Sequence, residues 1–215
     1  MRFTLAVSTL LFAGNLMAAT VSVGVTQDTF IETSGAGDGN VNEGMADPTM
    51  LWNYHNGGAW VATPLFFFDL SSYSGQTVSG DATFTVSVYS ASGISTRSLS
   101  LVGLTAGFNP VTATHNNTSP TIAGATLDAI TTVPVAGGTV TFTIPQATLQ
   151  GWIDNSSTNY GFGLKAASGT ADIKYFASES GASTAPTLAF NTVPEPSAAM
   201  LVGALGVLGL VKRRR

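Results

Sequence analysis

The sequence Ala82-Thr83-Phe84-Thr85-Val86-Ser87-Val88-Tyr89 alternates side chains of two kinds without a break. Successive side chains of a strand point to opposite faces, so this period of two places Phe84, Val86 and Val88 on one buried face. The intervening hydroxyl groups lie on the other face. The segment predicts a strand with one buried face.

The same alternation occurs in Val21-Ser22-Val23-Gly24-Val25 and in Val140-Thr141-Phe142-Thr143-Ile144. About ten short strands separated by turns rich in Gly, Ser and Asn are typical of an all-β sandwich. We therefore predict an all-β fold with a single β-sandwich. Weaker strands are expected at 28–33, 50–54, 64–70, 98–104, 161–167, 173–177 and 187–190.

One short helix is predicted at 145–153. Pro145 suits the first turn of a helix, and Leu149, Trp152 and Ile153 recur at helical spacing. We expect this helix to close one end of the sandwich.

Composition limits the classes of function. Residues 20–194 contain three cationic and eleven acidic side chains, which gives a net charge of −8. The chain has no cysteine and only two histidines. Nucleic-acid binding requires clustered Lys and Arg, which this body lacks. The missing cysteines exclude disulfides and thiolate chemistry, and a histidine-rich zinc site is not expected.

Residues 1–19 have the organisation of a secretory signal peptide. Arg2 supplies a positive start, residues 3–16 are apolar, and Met17-Ala18-Ala19 offers a small-residue cleavage site. We expect signal peptidase to act here and the folded domain to occupy residues 20–192.

Several segments of the body occur in the same order as in the DNRLRE domain, a β-sandwich of exported proteins related to carbohydrate-binding jelly rolls. The resembling segments are Asp28-Thr29-Phe30-Ile31, Asn40-Val41-Asn42-Glu43-Gly44, Phe68-Asp69-Leu70-Ser71-Ser72, residues 83–89, Gly151-Trp152, residues 159–165, residues 176–179 and Pro186-Thr187-Leu188. The resemblance implies a jelly-roll-like sandwich and a carbohydrate ligand.

No motif of a serine hydrolase, a phosphate-binding loop or a zinc protease occurs in the sequence. We therefore predict that the protein is not an enzyme. Two alternatives stay open: a small polysaccharide-acting hydrolase or lyase with two facing carboxylates, and a self-associating adhesion or structural subunit.

Four candidate ligand-binding residues cluster between 52 and 60, namely Trp52, Tyr54, His55 and Trp60. Aromatic faces stack on sugar rings, and a Gly-rich loop could present them together with polar groups. The alternative is that Trp52 and Trp60 are core anchors beside a hairpin, which the general burial of large aromatic side chains favours.

Acidic residues near the first and last strands suggest a structural calcium site. Asp28 and Glu32 follow the first strand, whereas Asp172 and Glu179 precede the last, and these strands lie close together in many sandwiches. Carboxylates suit the oxygen coordination of Ca²⁺. The alternative, that all four are solvated acids, is the commoner situation.

The tail from 193 to 215 has three parts: Val193-Pro194-Glu195-Pro196-Ser197, an uncharged run at 198–211, and Lys212-Arg213-Arg214-Arg215. Fourteen residues of helix extend roughly 21 Å, less than a hydrocarbon core of about 30 Å. Snorkelling cations allow a marginal span with its basic end in the cytoplasm.

This order resembles the PEP-CTERM sorting signal of exopolysaccharide-producing Gram-negative bacteria. The resemblance implies that an exosortase of the inner membrane recognises Pro194, Glu195 and Pro196, with Arg213, Arg214 and Arg215 completing the motif. It further implies transient anchoring in the inner membrane, then release to the cell surface or extracellular matrix. We expect an exported, non-catalytic protein whose sandwich binds exopolysaccharide.

Overall fold

A computed structural model describes residues 18–33, 48–55, 60–92, 96–132, 134–167, 172–181 and 184–193. These residues form twelve strands and two short α-helices. The strands are β1 (Ala19–Gly24), β2 (Gln27–Thr33), β3 (Met50–His55), β4 (Val61–Phe67), β5 (Thr77–Val78), β6 (Ala82–Ser92), β7 (Arg97–Gly103), β8 (Thr126–Thr132), β9 (Thr139–Ile144), β10 (Phe162–Ala166), β11 (Asp172–Phe176) and β12 (Thr187–Val193). The helices are α1 (His115–Thr118) and α2 (Gln146–Asp154).

The strand predicted at 82–89 is β6, the longest of the described strands. Its side chains alternate as expected, with Phe84, Val86 and Val88 fully buried. It pairs with β9 and β12 through its first half and with β11 through its second half. Because of this double pairing, β6 connects the two halves of the sheet.

All strand pairs are antiparallel and join into one curled sheet in the order β1-β12-β6-β11-β3-β4-β10-β7-β8. In addition, β2 pairs with β4, β5 with β12 and β9 with β6. The all-β prediction is confirmed. The expected proximity of the first and last strands is also confirmed, since β1 pairs with β12 from Ala19↔Thr192 to Gly24↔Thr187.

The main core is built around five phenylalanine rings, here called the core ring cluster. Phe84 from β6 lies 4.9 Å from both Phe66 of β4 and Phe162 of β10, measured between ring centroids. These contacts hold distant strands of the curled sheet together across the interior. The cluster consists of Phe66, Phe68, Phe84, Phe142 and Phe162.

Gly161 is required where the chain enters β10. Its φ of +84° lies in the left-handed region, and a Cβ atom built there would lie 2.2 Å from the carbonyl oxygen of Phe66. Only glycine combines this backbone conformation with such a close approach to β4. The contact sets the pairing of Phe162 with Phe66.

The structure differs from the sequence predictions at several elements. β4 begins at Val61 rather than at 64, and β5, β8 and α1 were not predicted. The predicted helix is confirmed as α2, but Pro145 occupies its N-cap position instead of its first turn. Leu149 and Ile153 face the core, and Trp152 stacks on Phe162 at 6.4 Å.

A smaller apolar cluster lies on the side of β2 and β4 that α1 covers. It includes Ile31, Leu65 and Ile122. The preceding Thr114 caps α1: its hydroxyl accepts a hydrogen bond from the backbone N–H of Asn117, and its own backbone N–H donates to the side-chain Oδ1 of Asn117. No helix among the described residues is long and apolar enough to cross a membrane.

Candidate functional site

The two faces of β3 carry different kinds of side chain. Leu51 and Asn53 point inward and are almost completely buried, whereas Trp52 and Tyr54 lie on the opposite face and are half-buried. The neighbouring strand β11 continues this division, because Ile173 is buried and Lys174 is not. We call the face that bears Trp52 the outer face.

Four aromatic rings meet on this outer face and form a cluster that we call the outer patch. Trp52 stacks on Tyr54 at 5.5 Å and meets Trp60 edge-on at 5.4 Å, and Tyr54 lies 5.7 Å from Trp60. Phe30 of β2 completes the patch, 6.5 Å from Trp52. Three of the four predicted ligand-binding residues are therefore in mutual contact.

Polar side chains border the outer patch. The indole Nε1–H of Trp52 donates a hydrogen bond to Asp172 Oδ1 on β11. Lys174, two residues further along the same strand, places its ammonium 5.5 Å from the centre of the Trp52 ring. A cation over an aromatic face is attracted by the ring quadrupole, so Lys174 and Asp172 fix the orientation of Trp52.

His55 does not belong to the outer patch. Its side chain follows the inward face of β3, and its Nδ1–H donates to the carbonyl oxygen of Ala166 in β10 at 3.2 Å. The prediction grouped it with Trp52 and Tyr54. The period of two in a strand separates it from them, because residues 54 and 55 point to opposite faces.

Trp52 and Trp60 do not belong to either of the two buried clusters. Both side chains are half-buried. Their contacts are with each other and with their neighbours on the outer face. Ligand binding by Trp52, Tyr54 and Trp60 stays a prediction that this arrangement permits.

Asp28 and Glu179 come together through Ser178. The backbone N–H of Ser178 donates to Asp28 Oδ2 at 2.8 Å, and its hydroxyl lies 2.7 Å from both Asp28 Oδ1 and Glu179 Oε2. Burial raises the pKa of the Asp28 carboxyl, and the charge of Glu179 adds to this rise. The hydrogen bonds from Ser178 act in the opposite direction.

The other two predicted calcium ligands lie elsewhere. Asp172 accepts a hydrogen bond from the indole N–H of Trp52. Glu32 lies opposite Ala62 in the register between β2 and β4, four residues along the strand from Asp28. No group of three or more His, Asp or Glu side chains suited to a metal occurs in the described part of the chain. The four acids proposed as calcium ligands therefore do not form one cluster in the structure.

Sequence reasoning missed the partners that shape the outer face. Lys174 alternates with buried neighbours in β11, which indicates an outward position, but the register between β3 and β11 is not readable from the sequence. The contact between Tyr89 and Phe176 also depends on a strand register that the sequence does not reveal. Tyr89 is 54% exposed, and its ring lies 5.2 Å from the ring of Phe176 on the outer face.

The remaining predicted site is the tail, and it is recognised by comparison with known protein families. Residues 192–215 match the PEP-CTERM protein-sorting motif. The match begins inside β12 and includes Pro194, Glu195, Pro196, Arg213, Arg214 and Arg215. These six residues lie outside the described residues, and so do residues 1–17 of the predicted signal peptide at 1–19.

The sorting motif supports an exported protein that exosortase processes after a transient membrane anchorage. A comparison with curated proteins finds no match to this chain.

Proposed function

We propose that this chain is an exosortase-sorted protein of the cell surface or extracellular matrix whose β-domain binds polysaccharide without catalysis. The observation that carries the proposal is the match of residues 192–215 to the sorting motif. The resemblance of residues 21–190 to DNRLRE domains belongs to the same proposal.

Recognition of the tail requires its Pro-Glu-Pro segment. Replacing Pro194, Glu195 and Pro196 by alanine should leave the apolar run and its four cations able to hold the protein in the inner membrane. The variant should therefore accumulate in the membrane fraction of the producing cell, while the wild-type protein is released. Ser197→Ala, which leaves the segment intact, is the matched control, and equal release of all three proteins would contradict exosortase sorting.

The outer patch supports the binding part of the proposal. Tyr54 and Trp60 are half-buried, so part of each ring is accessible to the apolar face of a sugar. Asp172 and Lys174 border the rings with an acceptor and a donor. Apolar rings beside fixed polar groups are the usual composition of a ligand site.

Trp52 has a different role from its neighbours. Its ring contacts Phe30, Tyr54, Trp60 and Lys174, and its indole N–H donates a hydrogen bond to Asp172. These contacts make Trp52 the support of the patch, and Tyr54 and Trp60 the rings that meet the ligand.

Retention on the exopolysaccharide of the producing cell tests this role. Tyr54→Ala and Trp60→Ala should each weaken retention about tenfold, roughly 1.4 kcal/mol, while the protein remains folded. Tyr160→Ala is the matched control, since Tyr160 is an exposed tyrosine away from the patch. Unchanged retention of the two patch variants, or no retention of the wild-type protein, would refute polysaccharide binding by the patch.

A further inference from the structure

A cavity of about 300 Å³ lies on the opposite side of β3 from the outer patch. Strands β3, β4 and β10 and the segment around α1 form its walls. Both histidines of the chain line it, His55 from β3 and His115 from α1. Its volume is at the lower end of the range for small-molecule sites, which suits a single ring.

The hydrogen bond of His55 defines which of its ring atoms can accept. Because a carbonyl oxygen only accepts, the 3.2 Å contact with Ala166 requires a proton on Nδ1 of His55. In the neutral ring, Nε2 is then an acceptor with a lone pair. The cavity wall therefore contains a nitrogen that accepts a hydrogen bond from a ligand hydroxyl.

The charge of the cavity differs from that of the protein. Lys165 lines it and is one of only three cations between residues 20 and 194, whereas none of its described lining residues is an acid. In a domain with a net charge of −8, an ammonium with no acid among the described residues of its cavity wall attracts an anionic group. The same ammonium disfavours a metal cation.

His115 adds a neutral polar group. Burial lowers the pKa of its imidazole, so the ring is uncharged at neutral pH. Its Nδ1 is buried and has no hydrogen-bond partner among the described residues. A ligand that supplies this partner would remove the cost of an unsatisfied buried polar atom.

We infer that this cavity binds one acidic sugar ring, of the uronic acid class. Lys165 pairs with its carboxylate, Nε2 of His55 accepts from a ring hydroxyl, and the hydroxyls of Thr63 and Ser119 complete the polar contacts. The side chain of Ile122 supplies an apolar wall for the ring. A phosphate ion lacks the apolar carbons that this wall fits and carries fewer hydroxyl groups than a sugar ring.

The inference deepens the proposed function, since it specifies an acidic polysaccharide as the ligand. It concerns a second site, separated from the outer patch by the thickness of β3. The signals of the two cavity histidines during binding of a free monosaccharide report on this cavity, whereas retention on the polymer also depends on Tyr54 and Trp60.

Titration of the full chain with glucuronate, with glucose and with inorganic phosphate tests the inference. Because the protein has two histidines, their imidazole NMR signals report directly on the cavity. Both signals should shift with glucuronate, and the dissociation constant for glucuronate should be at least tenfold lower than those for glucose and phosphate. Phosphate binding as tight as that of glucuronate would reassign the cavity to a free anion, and Zn²⁺ binding in place of glucuronate would reassign it to a metal.

Lys165→Met and Lys174→Met form a matched pair of variants, because each removes one cation, Lys165 on β10 beside the cavity and Lys174 on β11 beside the outer patch. Lys165→Met should weaken glucuronate binding at least tenfold, whereas Lys174→Met should leave it within about twofold. Equal effects of the two substitutions, or no shift of the histidine signals, would overturn the inference. Tyr54→Ala should leave glucuronate binding unchanged, so failure of the outer-patch proposal and failure of this one give different results.

Discussion

The core ring cluster and the outer patch contain similar numbers of rings at similar spacing, yet their chemistry differs. Centroid distances run from 4.9 to 6.0 Å in the core and from 5.4 to 6.5 Å in the patch. The core contains only phenylalanine. The patch contains one phenylalanine, two tryptophans and a tyrosine, with charged neighbours. The polar groups of its rings and their partial burial, rather than ring packing itself, therefore distinguish a candidate binding surface from a structural cluster.

Phe84→Ala should have the largest effect on stability. Phe84 is fully buried and contacts all four other rings of the core ring cluster. Its truncation to alanine therefore leaves a cavity between the halves of the sheet. We expect the free energy of unfolding to fall by about 3–5 kcal/mol. Urea denaturation measures the loss, and a loss below that of a patch substitution such as Trp60→Ala would contradict the assignment of the core.

Gly161→Ala should rank second, because it disturbs the core from the backbone. The added methyl group would meet the carbonyl oxygen of Phe66, and alanine strains a φ of +84°. Together these effects should cost about 2–4 kcal/mol in the free energy of unfolding. Gly151→Ala is the control, since a Cβ atom there meets nothing within 4 Å and lies in a helix.

Much of the core side of this comparison was readable from the sequence. The alternation in residues 82–89 predicted β6 and its buried face, and helical spacing predicted α2. β8 was missed because Thr126–Thr132 shows a mixed burial pattern and lacks the strict alternation of a half-buried strand. α1 was missed because four residues give no helical periodicity, although the Thr114–Asn117 capping pair is visible in the sequence.

The outer side was less predictable. The period of two could have placed His55 on the opposite face from Tyr54. The positions of Phe30, Asp172 and Lys174 depend instead on the register of β2 and β11 against their partners, which long-range pairing decides. For the same reason, spacing in the sequence did not show that Asp28 meets Glu179 while Glu32 and Asp172 lie apart.

A smaller effect is expected for Trp52→Phe, which keeps a ring in the patch but removes the donor to Asp172. The bond is only partly buried, so we expect a loss of about 1 kcal/mol in the free energy of unfolding. Asp172→Asn, which retains an acceptor oxygen, should cost less. Equal stability of Trp52→Phe and the wild-type protein would show that Asp172 does not support the patch.

The smallest effect concerns pH and involves Asp28, which belongs to neither ring cluster; the phenylalanine rings of the core ring cluster do not titrate. Because burial and Glu179 raise the pKa of Asp28, the folded protein holds this proton to higher pH than the unfolded chain does. The resulting stabilisation is complete below the unfolded pKa of about 3.9 and is lost as pH rises through the folded value.

Asp28→Asn should therefore reduce the decline in stability with rising pH, and Glu179→Gln should reduce it to a smaller extent. Urea midpoints measured between about pH 3.5 and pH 7 provide the comparison. Phe84→Leu, which changes no ionisable group, should lower stability by the same amount at every pH in this range. A pH profile of Asp28→Asn that runs parallel to that of the wild-type protein would contradict the raised pKa.

The proposed function rests on the match of residues 192–215 to the sorting motif, so the most direct test concerns this tail. Mass spectrometry of the protein released from the producing cell determines its C-terminal residue. Exosortase processing predicts a chain that ends before the basic cluster of Lys212, Arg213, Arg214 and Arg215. A released protein that still ends at Arg215 would contradict it.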